Sequence, residues 1–347
     1  MSEATMSWSR AAALAVGFVL GSASIARADD SAKLMDRLHA AAAATALDTS
    51  DMKPWHLKLS VRLFDSSGKP VDEGSIEEWW GSPELNRTEY KTNSYSATEI
   101  RNEGNLYRTK GASLPPYYLN LLRRQIVHPL PHWSSDEPSS KLYLRKLKVS
   151  KTPLVCIELG SSPGREPSPL GAVPTYCFGT GTDSLRMSVR LQNEVIARNS
   201  IGHFAGHEVP ADVAVSTNSV VTARAHIDAL ANSEISQSVF DPSDDTPEVT
   251  PPIVDGDGIK LKLVSEAYPL YPAQAKASHI SSGIVVTRAI IGTNGAVRKV
   301  EVISSSSPLL VSAAMDAVQQ WKYQPYETNG IPAEVVIEIV MAFSLGP

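Results

Sequence analysis

Residues 283–303 read Gly-Ile-Val-Val-Thr-Arg-Ala-Ile-Ile-Gly-Thr-Asn-Gly-Ala-Val-Arg-Lys-Val-Glu-Val-Ile and predict a β-hairpin. Two apolar runs, residues 283–291 and 297–303, flank a short polar break. Because Asn and Gly tolerate the positive φ of a tight turn, Asn294-Gly295 reverses the chain. In the second run Val300 and Val302 alternate with charged residues, which is typical of a sheet with one face in solvent.

Helix signals lie on both sides of this hairpin. Residues 273–277, Ala-Gln-Ala-Lys-Ala, follow two prolines and favour a short helix. After the hairpin, Ser307 suits a helix N-cap and Pro308 the first helical position, and apolar residues then recur at helical spacing as far as Trp321. Residues 335–343 alternate as a last strand. The predicted order is therefore helix, strand, strand, helix, strand.

The same stretch carries specific motifs. They are a Tyr-Pro pair, Ser-Gly-Ile-Val, Asn-Gly, Ala-Ala-Met-Asp-Ala-Val-Gln-Gln-Trp-Lys-Tyr-Gln-Pro and Asn-Gly-Ile-Pro. With them, residues 267–345 resemble the C-terminal domain of TonB, the periplasmic energy transducer of Gram-negative envelopes. The resemblance implies a small antiparallel sheet with two helices, whose edge accepts an extended peptide, usually the TonB box of an outer-membrane transporter.

Strand addition of this kind needs only backbone donors and acceptors, so no catalytic residue is expected. The exposed edge of the last strand is the predicted contact surface, since an open edge otherwise needs protection against unwanted pairing. The residues predicted to form this partner-binding edge are Val335, Ile337, Ile339, Met341 and Phe343.

Length and charge limit the remaining possibilities. A chain of 347 residues with a net charge of -5 supports about two domains. Without a basic block it has no electrostatic footprint for nucleic acid, so we set nucleic-acid partners aside. The predicted division is a signal segment at 1–28, a sheet domain at 31–240, a linker at 241–262 and the TonB-like domain at 263–347.

The N-terminus predicts export. Arg10 precedes an apolar segment at residues 11–20, and small residues end at Ala28, so that Asp29 would begin a mature periplasmic chain. The alternative is an uncleaved inner-membrane anchor. The apolar run is short for a spanning helix of about 20 residues.

Residues 31–240 predict a helix at 31–47, then short strands at hairpin intervals, interrupted by a helix at 114–126. The expected architecture is a curved antiparallel sheet with covering helices, which makes the whole chain α+β. With Gly-Ser-Ile-Glu-Glu-Trp-Trp at 74–80 and Gly-His-Glu-Val-Pro at 206–210, residues 50–235 resemble the half-barrel of periplasmic lipoprotein carriers of the LolA type. The resemblance implies a concave apolar cavity.

The segment 241–262 is acidic and rich in proline, which indicates a linker. At about 3.1 Å per residue it would reach on the order of 50 to 60 Å. A TonB that works from the inner membrane needs a longer span, so the sequence departs from the family pattern at this point.

The two cysteines, Cys156 and Cys177, fall on neighbouring predicted strands. In an exported chain they most simply form one disulfide, and free buried thiols are the alternative. Two cysteines alone do not supply enough ligands for a zinc site.

Histidine pairs at four-residue spacing are the other candidates for chemistry. They are His128 with His132 and His203 with His207. Prolines and glycines beside them argue against the helix that would bring each pair together, so neither a metal nor a cofactor is expected. The chain also lacks a Gly-x-Ser-x-Gly elbow, a His-Glu-x-x-His motif and a P-loop, and is therefore predicted not to be an enzyme.

The sequence thus predicts a non-enzymatic periplasmic protein of the TonB family. It would bind an extended segment of an outer-membrane transporter or another envelope protein by strand addition. One alternative is a membrane-anchored energy transducer, and another is a carrier of lipid or a hydrophobic ligand through the N-terminal domain. Pairing of two terminal modules into a homodimer is a further alternative, since a small sheet leaves edges open.

Overall fold

The chain divides between Pro247 and Glu248 into an N-terminal unit, residues 1–247, and a C-terminal unit, residues 248–347, in the computed structural model. The structure describes residues 25–26, 31–131, 133, 141–150, 152–160, 170–191, 194–256 and 259–345. Apart from Ile25 and Ala26, the predicted signal segment lies outside the described residues, as does His132.

The N-terminal unit is built on a 13-stranded antiparallel sheet. Its strand order is β1-β7-β8-β9-β10-β11-β12-β13-β2-β3-β4-β5-β6. The strands are β1 (Ile25–Ala26), β2 (Trp55–Phe64), β3 (Pro70–Ser82), β4 (Leu85–Thr92), β5 (Ser96–Asn102), β6 (Asn105–Arg108), β7 (Leu142–Val149), β8 (Thr152–Leu159), β9 (Thr175–Gly179), β10 (Leu185–Arg190), β11 (Glu194–Phe204), β12 (His207–Thr217) and β13 (Val220–Asn232).

The two-residue β1 lies at one edge of this sheet beside β7, and the first long strand, β2, lies in its middle. From β2 the chain runs by hairpins to β6 at the other edge, crosses to β7, and returns by hairpins to β13, which pairs with β2. Alternating residues of β2 are buried, with Trp55, Leu57, Leu59 and Val61 all facing the core. A period of two with one face buried is what an antiparallel strand requires.

Two helices lie against the sheet: α1 (Ser31–Thr45) and α2 (Tyr117–Val127). In α2 the buried Leu119, Leu122 and Ile126 form an apolar stripe at helical spacing, which packs on the core cluster of the sheet. The predicted half-barrel sheet with helices on it is confirmed, although the helical cover is modest.

The N-terminal part of the predicted linker is ordered backbone at the edge of this sheet. Beyond β6, the N–H of Arg108 donates to the carbonyl of Pro247 (3.1 Å), and the N–H of Lys110 donates to that of Asp245 (2.8 Å). Thr246 between them is buried. Residues 245–247 therefore belong to the N-terminal unit and cover the edge strand β6.

The C-terminal unit contains the predicted small sheet, with strand order β14-β20-β16-β17 and β19 paired to part of β20. β15 and β18 pair with each other. The elements are β14 (Ile253–Asp255), β15 (Leu263–Ser265), α3 (Ala273–Ala277), β16 (Ser282–Ile291), β17 (Val297–Ser305), α4 (Val311–Val318), β18 (Lys322–Tyr323), β19 (Tyr326–Thr328) and β20 (Ile331–Ser344).

The predicted order of helix, strand, strand, helix, strand is confirmed in α3, β16, β17, α4 and β20. Ser307 accepts a hydrogen bond from the N–H of Leu309, with Pro308 at the first position, as the cap signal predicted. The hairpin turn differs in detail, since Gly295 has positive φ and Asn294 does not. The N–H of Gly292 closes this turn on Ala296 (2.8 Å), so the loop has three residues with glycine at the left-handed position.

Candidate partner-binding edge of the C-terminal unit

The last strand, β20, has neighbours on both sides over a short part of its length. On one side β16 pairs with it without a break, from Val335 opposite Ile291 to Ser344 opposite Ser282. On the other side β14 runs parallel to residues 334–336, while β19 forms a hairpin with residues 331–333, which precede the stretch paired with β16. The strand that the sequence placed at an edge thus has β14 and β16 on its two sides only around Val335 and Val336.

Gly256 ends the covering strand in close contact with β20. Its N–H donates to the carbonyl of Val336 at 2.8 Å. A Cβ at position 256 would lie 2.6 Å from Cγ2 of Ile337 and 2.7 Å from that carbonyl oxygen. Only glycine allows so close an approach of two backbones.

The backbone groups of β20 alternate in direction. The N–H of Glu334 donates to Pro252 (2.7 Å), and the carbonyl of Val336 accepts from Gly256, so both residues face away from β16. Because the register with β16 is continuous, the same parity holds further along the strand. The N–H and C=O groups of Glu338, Val340, Ala342 and Ser344 therefore point away from β16 as well.

No strand of the described residues pairs with β20 on that side beyond Val336. We call residues 340–344 the open edge. Val340 is 40% exposed, and Ala342 and Ser344 are exposed too. Five residues at about 3.4 Å each give on the order of 17 Å of strand, which is enough to pair with a short extended peptide.

The five residues predicted to form the partner surface point the other way. Val335 is fully buried and Ile339, Met341 and Phe343 are at most 5% exposed, all within the core cluster of the unit. Ile337 is partly buried against the same cluster. Their backbone groups bond to β16. The apolar alternation identified the core face correctly, but it does not reveal which residues direct backbone groups to an open side.

Core contacts beneath β20 restrict the conformation of the open edge. The ring of Tyr271 packs edge-on against Phe343, with 5.9 Å between centroids, and its hydroxyl donates to the carbonyl of Ile280 at 2.6 Å. Because Phe343 and Met341 are anchored in the core, the intervening residues Ala342 and Ser344 have little freedom. A rigid edge loses less conformational entropy on binding than a flexible one.

Charged groups lie along the covered half of the sheet. Arg298 contacts the buried carboxylate of Glu334 (2.9 Å), and Arg288 contacts Glu301 (2.9 Å). Burial raises the pKa of Glu334, and the positive charge of Arg298 opposes that shift in part. The open edge itself carries Val, Met, Ala, Phe and Ser, and the exposed Glu338 lies immediately before it on the same strand.

The structure joins Cys156 and Cys177 in a disulfide across the neighbouring strands β8 and β9. Both residues are fully buried, within a cluster that includes Leu154, Met187 and Val189. The pair links strands of the N-terminal unit and takes no part in the open edge.

The candidate histidines lie at separate places. His128 contacts Asp48, with 2.8 Å between Nδ1 and Oδ1. His203 and His207 sit on opposite strands of the β11–β12 hairpin rather than on one helix face. Among the described residues, no group of three or more His, Cys, Asp or Glu could hold a metal ion.

The aromatic pair of β3 divides between the two faces of the sheet. Trp80 is buried and stacks on Trp55, with 5.7 Å between ring centroids, whereas Trp79 stacks on His56. Trp80 is therefore a core residue.

The family of the C-terminal unit follows from a comparison with family models. The model described as Gram-negative bacterial TonB protein C-terminal matches residues 267–345. Residues 267–345 form a TonB C-terminal domain. The match contains α3, β16, β17, α4 and all of β20, and leaves β14 and the N-terminal unit outside. The open edge therefore belongs to the TonB domain, while β14, which covers residues 334–336 of β20, comes from residues that precede the domain.

Solved structures similar to this chain cover mainly its first two thirds. A LolA superfamily protein from Nitrosomonas europaea is 8% identical, with a TM-score of 0.37, and the match covers 59% of this chain and 97% of that one. A putative outer-membrane lipoprotein-sorting protein domain from Vibrio parahaemolyticus is 6% identical, with a TM-score of 0.34 and coverage of 60% and 95%.

A DUF1329 family protein from Desulfovibrio piger is 10% identical, with a TM-score of 0.37 and coverage of 62% and 97%. At these TM-scores the likeness carries no conclusion about function. No curated protein matches the chain. Within the part of the chain that the structure describes, no helix is long and apolar enough to cross a membrane.

Proposed function

We propose that the TonB domain binds an extended segment of another envelope protein by strand addition at the open edge. The observation that carries this proposal is the direction of the backbone groups of Val340, Ala342 and Ser344. They point away from β16, beyond the last strand that covers β20. An incoming peptide would continue the sheet on the side that β14 begins.

The partner we propose is the periplasm-facing segment of an outer-membrane transporter. The family match supports this choice, because TonB domains interact with such transporters in general. Val340 and Ala342 favour a peptide that presents small or apolar side chains beside them. This function requires no catalytic group and no cofactor.

We place this function in the periplasm, on the basis of the predicted signal segment. The intact mass and the membrane partition of the protein recovered from cell envelopes test this placement. The expected result is a chain that begins at Asp29 in the soluble periplasmic fraction. A full-length chain in the inner membrane would contradict it and favour the anchored transducer.

Peptide titration of a proline variant tests strand addition. Val340→Pro removes an N–H that points to the open edge and bonds to no residue of β16, so the fold is expected to persist. The ligands are synthetic peptides that span the TonB boxes of transporters from the same bacterium. Isothermal titration should show binding to the wild type that is at least about tenfold weaker in the proline variant.

Val340→Ala serves as the matched control, because it shortens the same side chain and keeps the N–H. We expect its affinity to stay within about twofold of the wild type. Circular dichroism and thermal melts establish that both variants fold. Equal affinity of the wild type and the proline variant would show that the peptide binds elsewhere.

A further inference from the structure

The interior of the N-terminal unit contains a guanidinium group with no carboxylate beside it. Arg198 lies on β11, on the face that packs against α2, and is 1% exposed. Burying a charge without a countercharge is costly, and natural interiors avoid it unless the charge has a role. Arg198 therefore requires an explanation beyond the stability of the sheet.

The contacts of Arg198 are few and neutral. Nη2 donates to the side-chain oxygen of Gln125 on α2, and Nη1 donates to Oγ of Ser188 on β10 at 3.3 Å. Nε is buried and has no acceptor. Burial lowers the pKa of the guanidinium, the nearby phenol of Tyr176 opposes that shift in part, and no carboxylate of the described residues forms an ion pair with Arg198. The Nε–H of Arg198 thus has no hydrogen-bond partner.

A second arginine in the same interior shows the usual arrangement. Arg123, also on the α2 side, uses Nε and Nη2 together to hold both oxygens of Glu78, which is fully buried. This two-point contact is the strongest that arginine makes with a carboxylate. In Arg198 the same pair of nitrogens has one acceptor, the amide oxygen of Gln125 at Nη2, and none at Nε. The fork that binds a carboxylate at Arg123 is incomplete at Arg198.

The surroundings of Arg198 separate two apolar regions. One core cluster includes Ile196, Leu122 and Ile126, and another includes Phe178 and Leu185. Ser188, Arg198 and Gln125 belong to neither cluster. They form a polar seam between β10, β11 and α2, where donors are not balanced by charged acceptors.

We propose that Arg198 is an internal carboxylate-binding site, with Gln125 holding the place of one ligand oxygen when no ligand is bound. A carboxylate would accept hydrogen bonds from Nε and Nη2, and Ser188 would stay on Nη1. Because Arg198 is 1% exposed, α2 must shift from the sheet to admit the ligand. The site lies in the N-terminal unit and does not depend on peptide binding by the TonB domain.

The carboxylate has two conceivable sources, a small free acid and the head of a longer amphiphile. Acetate, octanoate and 1-octanol distinguish them when titrated separately into the purified full chain. Binding of both acids indicates that the carboxylate suffices, and binding of octanoate alone indicates that an apolar chain is required as well. Equal binding of octanoate and 1-octanol would overturn the proposal, since the charge would then contribute nothing.

Arg198→Met removes the charge and keeps a similar length, so the variant is expected to fold, as replacements of buried charges by apolar residues often do. Its dissociation constant for the bound acid should rise at least about tenfold by isothermal titration. Arg62→Met is the control. Arg62 lies on β2 with its side chain 56% exposed and paired to Glu73, and its loss should leave binding unchanged.

Gln125→Glu gives an independent test, because it supplies Arg198 with an internal carboxylate. This variant should melt at a higher temperature than the wild type without ligand, and should no longer bind the acid. A purely structural role for Gln125 would not predict that loss of binding. Failure of the wild type to bind either acid, or unchanged binding in both variants, would refute the carboxylate site.

Discussion

The edge strands β6 and β20 both have backbone N–H and C=O groups that need partners on their outer side. The chain covers these groups along β6 but only in part along β20. Backbone from residues 245–247 bonds to Arg108 and Lys110 along the edge of the large sheet. In the small sheet, the cover of β20 stops at Val336. An exposed strand edge is a template for pairing with another chain. We propose for binding the stretch of β20 that this cover leaves open.

Both covers come from one stretch of sequence. Residues 245–247 and the strand Ile253–Asp255 both lie within the acidic, proline-rich segment that was predicted to be a linker. Each end of this segment is ordered by the sheet of its own unit. A segment with little apolar content can still take a fixed conformation where it supplies backbone hydrogen bonds to an edge.

The largest expected effect concerns the support of the open edge. Phe343→Ala removes a side chain that is 4% exposed, and should lower the unfolding free energy of the C-terminal unit by about 3 to 5 kcal/mol. Peptide binding should be lost with it. Hydrogen exchange in urea, followed on peptides of each unit, measures this change, and the N-terminal unit should stay as it was. Loss of exchange protection in both units would show that they do not unfold separately.

Removing the disulfide should lower the stability of the N-terminal unit only. The double variant Cys156→Ala, Cys177→Ala releases a cross-link between residues 21 apart. Loop-closure entropy then predicts a loss of about 3 kcal/mol in the N-terminal unit. In urea, the double variant and the reduced wild type should have the same free energy of unfolding for the N-terminal unit. Weaker peptide binding in the variant would contradict the separation of the two functions.

Widening the open edge tests the role of the cover directly. Gly256→Val places atoms where Ile337 and the carbonyl of Val336 lie, so β14 should detach at a cost of about 1 to 3 kcal/mol. Exchange protection should fall at Glu334 and Val336, and longer peptides should bind more tightly than to the wild type. Ile253→Val, which keeps the strand, is the control. Unchanged peptide affinity would show that the cover does not limit the site.

The smallest effect is a pH dependence in the covered half. Since burial raises the pKa of Glu334 in the folded protein, the folded state holds that proton more tightly than the unfolded chain does. The resulting stabilisation is complete below the ordinary carboxyl pKa and is lost as the pH rises through the folded pKa. The variant Glu334→Gln has no carboxyl at this position, so its stability does not fall with pH for this reason.

Urea unfolding between pH 4 and pH 8 compares the two proteins, and other titrating groups cancel in the difference. The stability of the wild type relative to Glu334→Gln should fall as the pH rises. A relative stability that rises with pH would mean that the ion pair with Arg298 outweighs burial, and that the folded pKa lies below its ordinary value.

Local sequence signals were enough for much of the TonB domain. The alternation in β20 and the cap at Ser307 each depend on residues close in the chain, and each has the structure that its pattern predicts. The Asn-Gly pair also marks the hairpin turn correctly, although only Gly295 has the positive φ. Local signals do not predict which residues of the open edge direct their backbone groups outward, because that depends on which neighbouring strand bonds to each group. Ile253–Asp255 gives too short a pattern to predict a parallel strand paired with residues 334–336.

The carboxylate-binding seam was equally hidden from the sequence. Arg198 lies in a strand whose neighbours alternate in burial, and nothing local indicates that its side chain faces inward. Gln125 approaches it only because α2, which follows β6 in the chain, packs on β12, β13 and β2, and Ser188 approaches it from the neighbouring strand β10. A periodicity analysis gives the face of a strand, but the acceptors that a buried donor finds depend on contacts distant in sequence.

The closure of the large sheet between β2 and β13 has a kinetic consequence. Trp55 pairs with Asn232, and Leu63 with Ala223, so the first long strand of the unit finds its second neighbour only when the last one is available. Non-local pairings of this kind slow folding, because a long loop must close before the contact forms. Until β13 has formed, the backbone N–H and C=O groups on one side of β2 have no partner. During synthesis from the N-terminus, the chain therefore passes through an interval in which β2 can pair with other chains and aggregate.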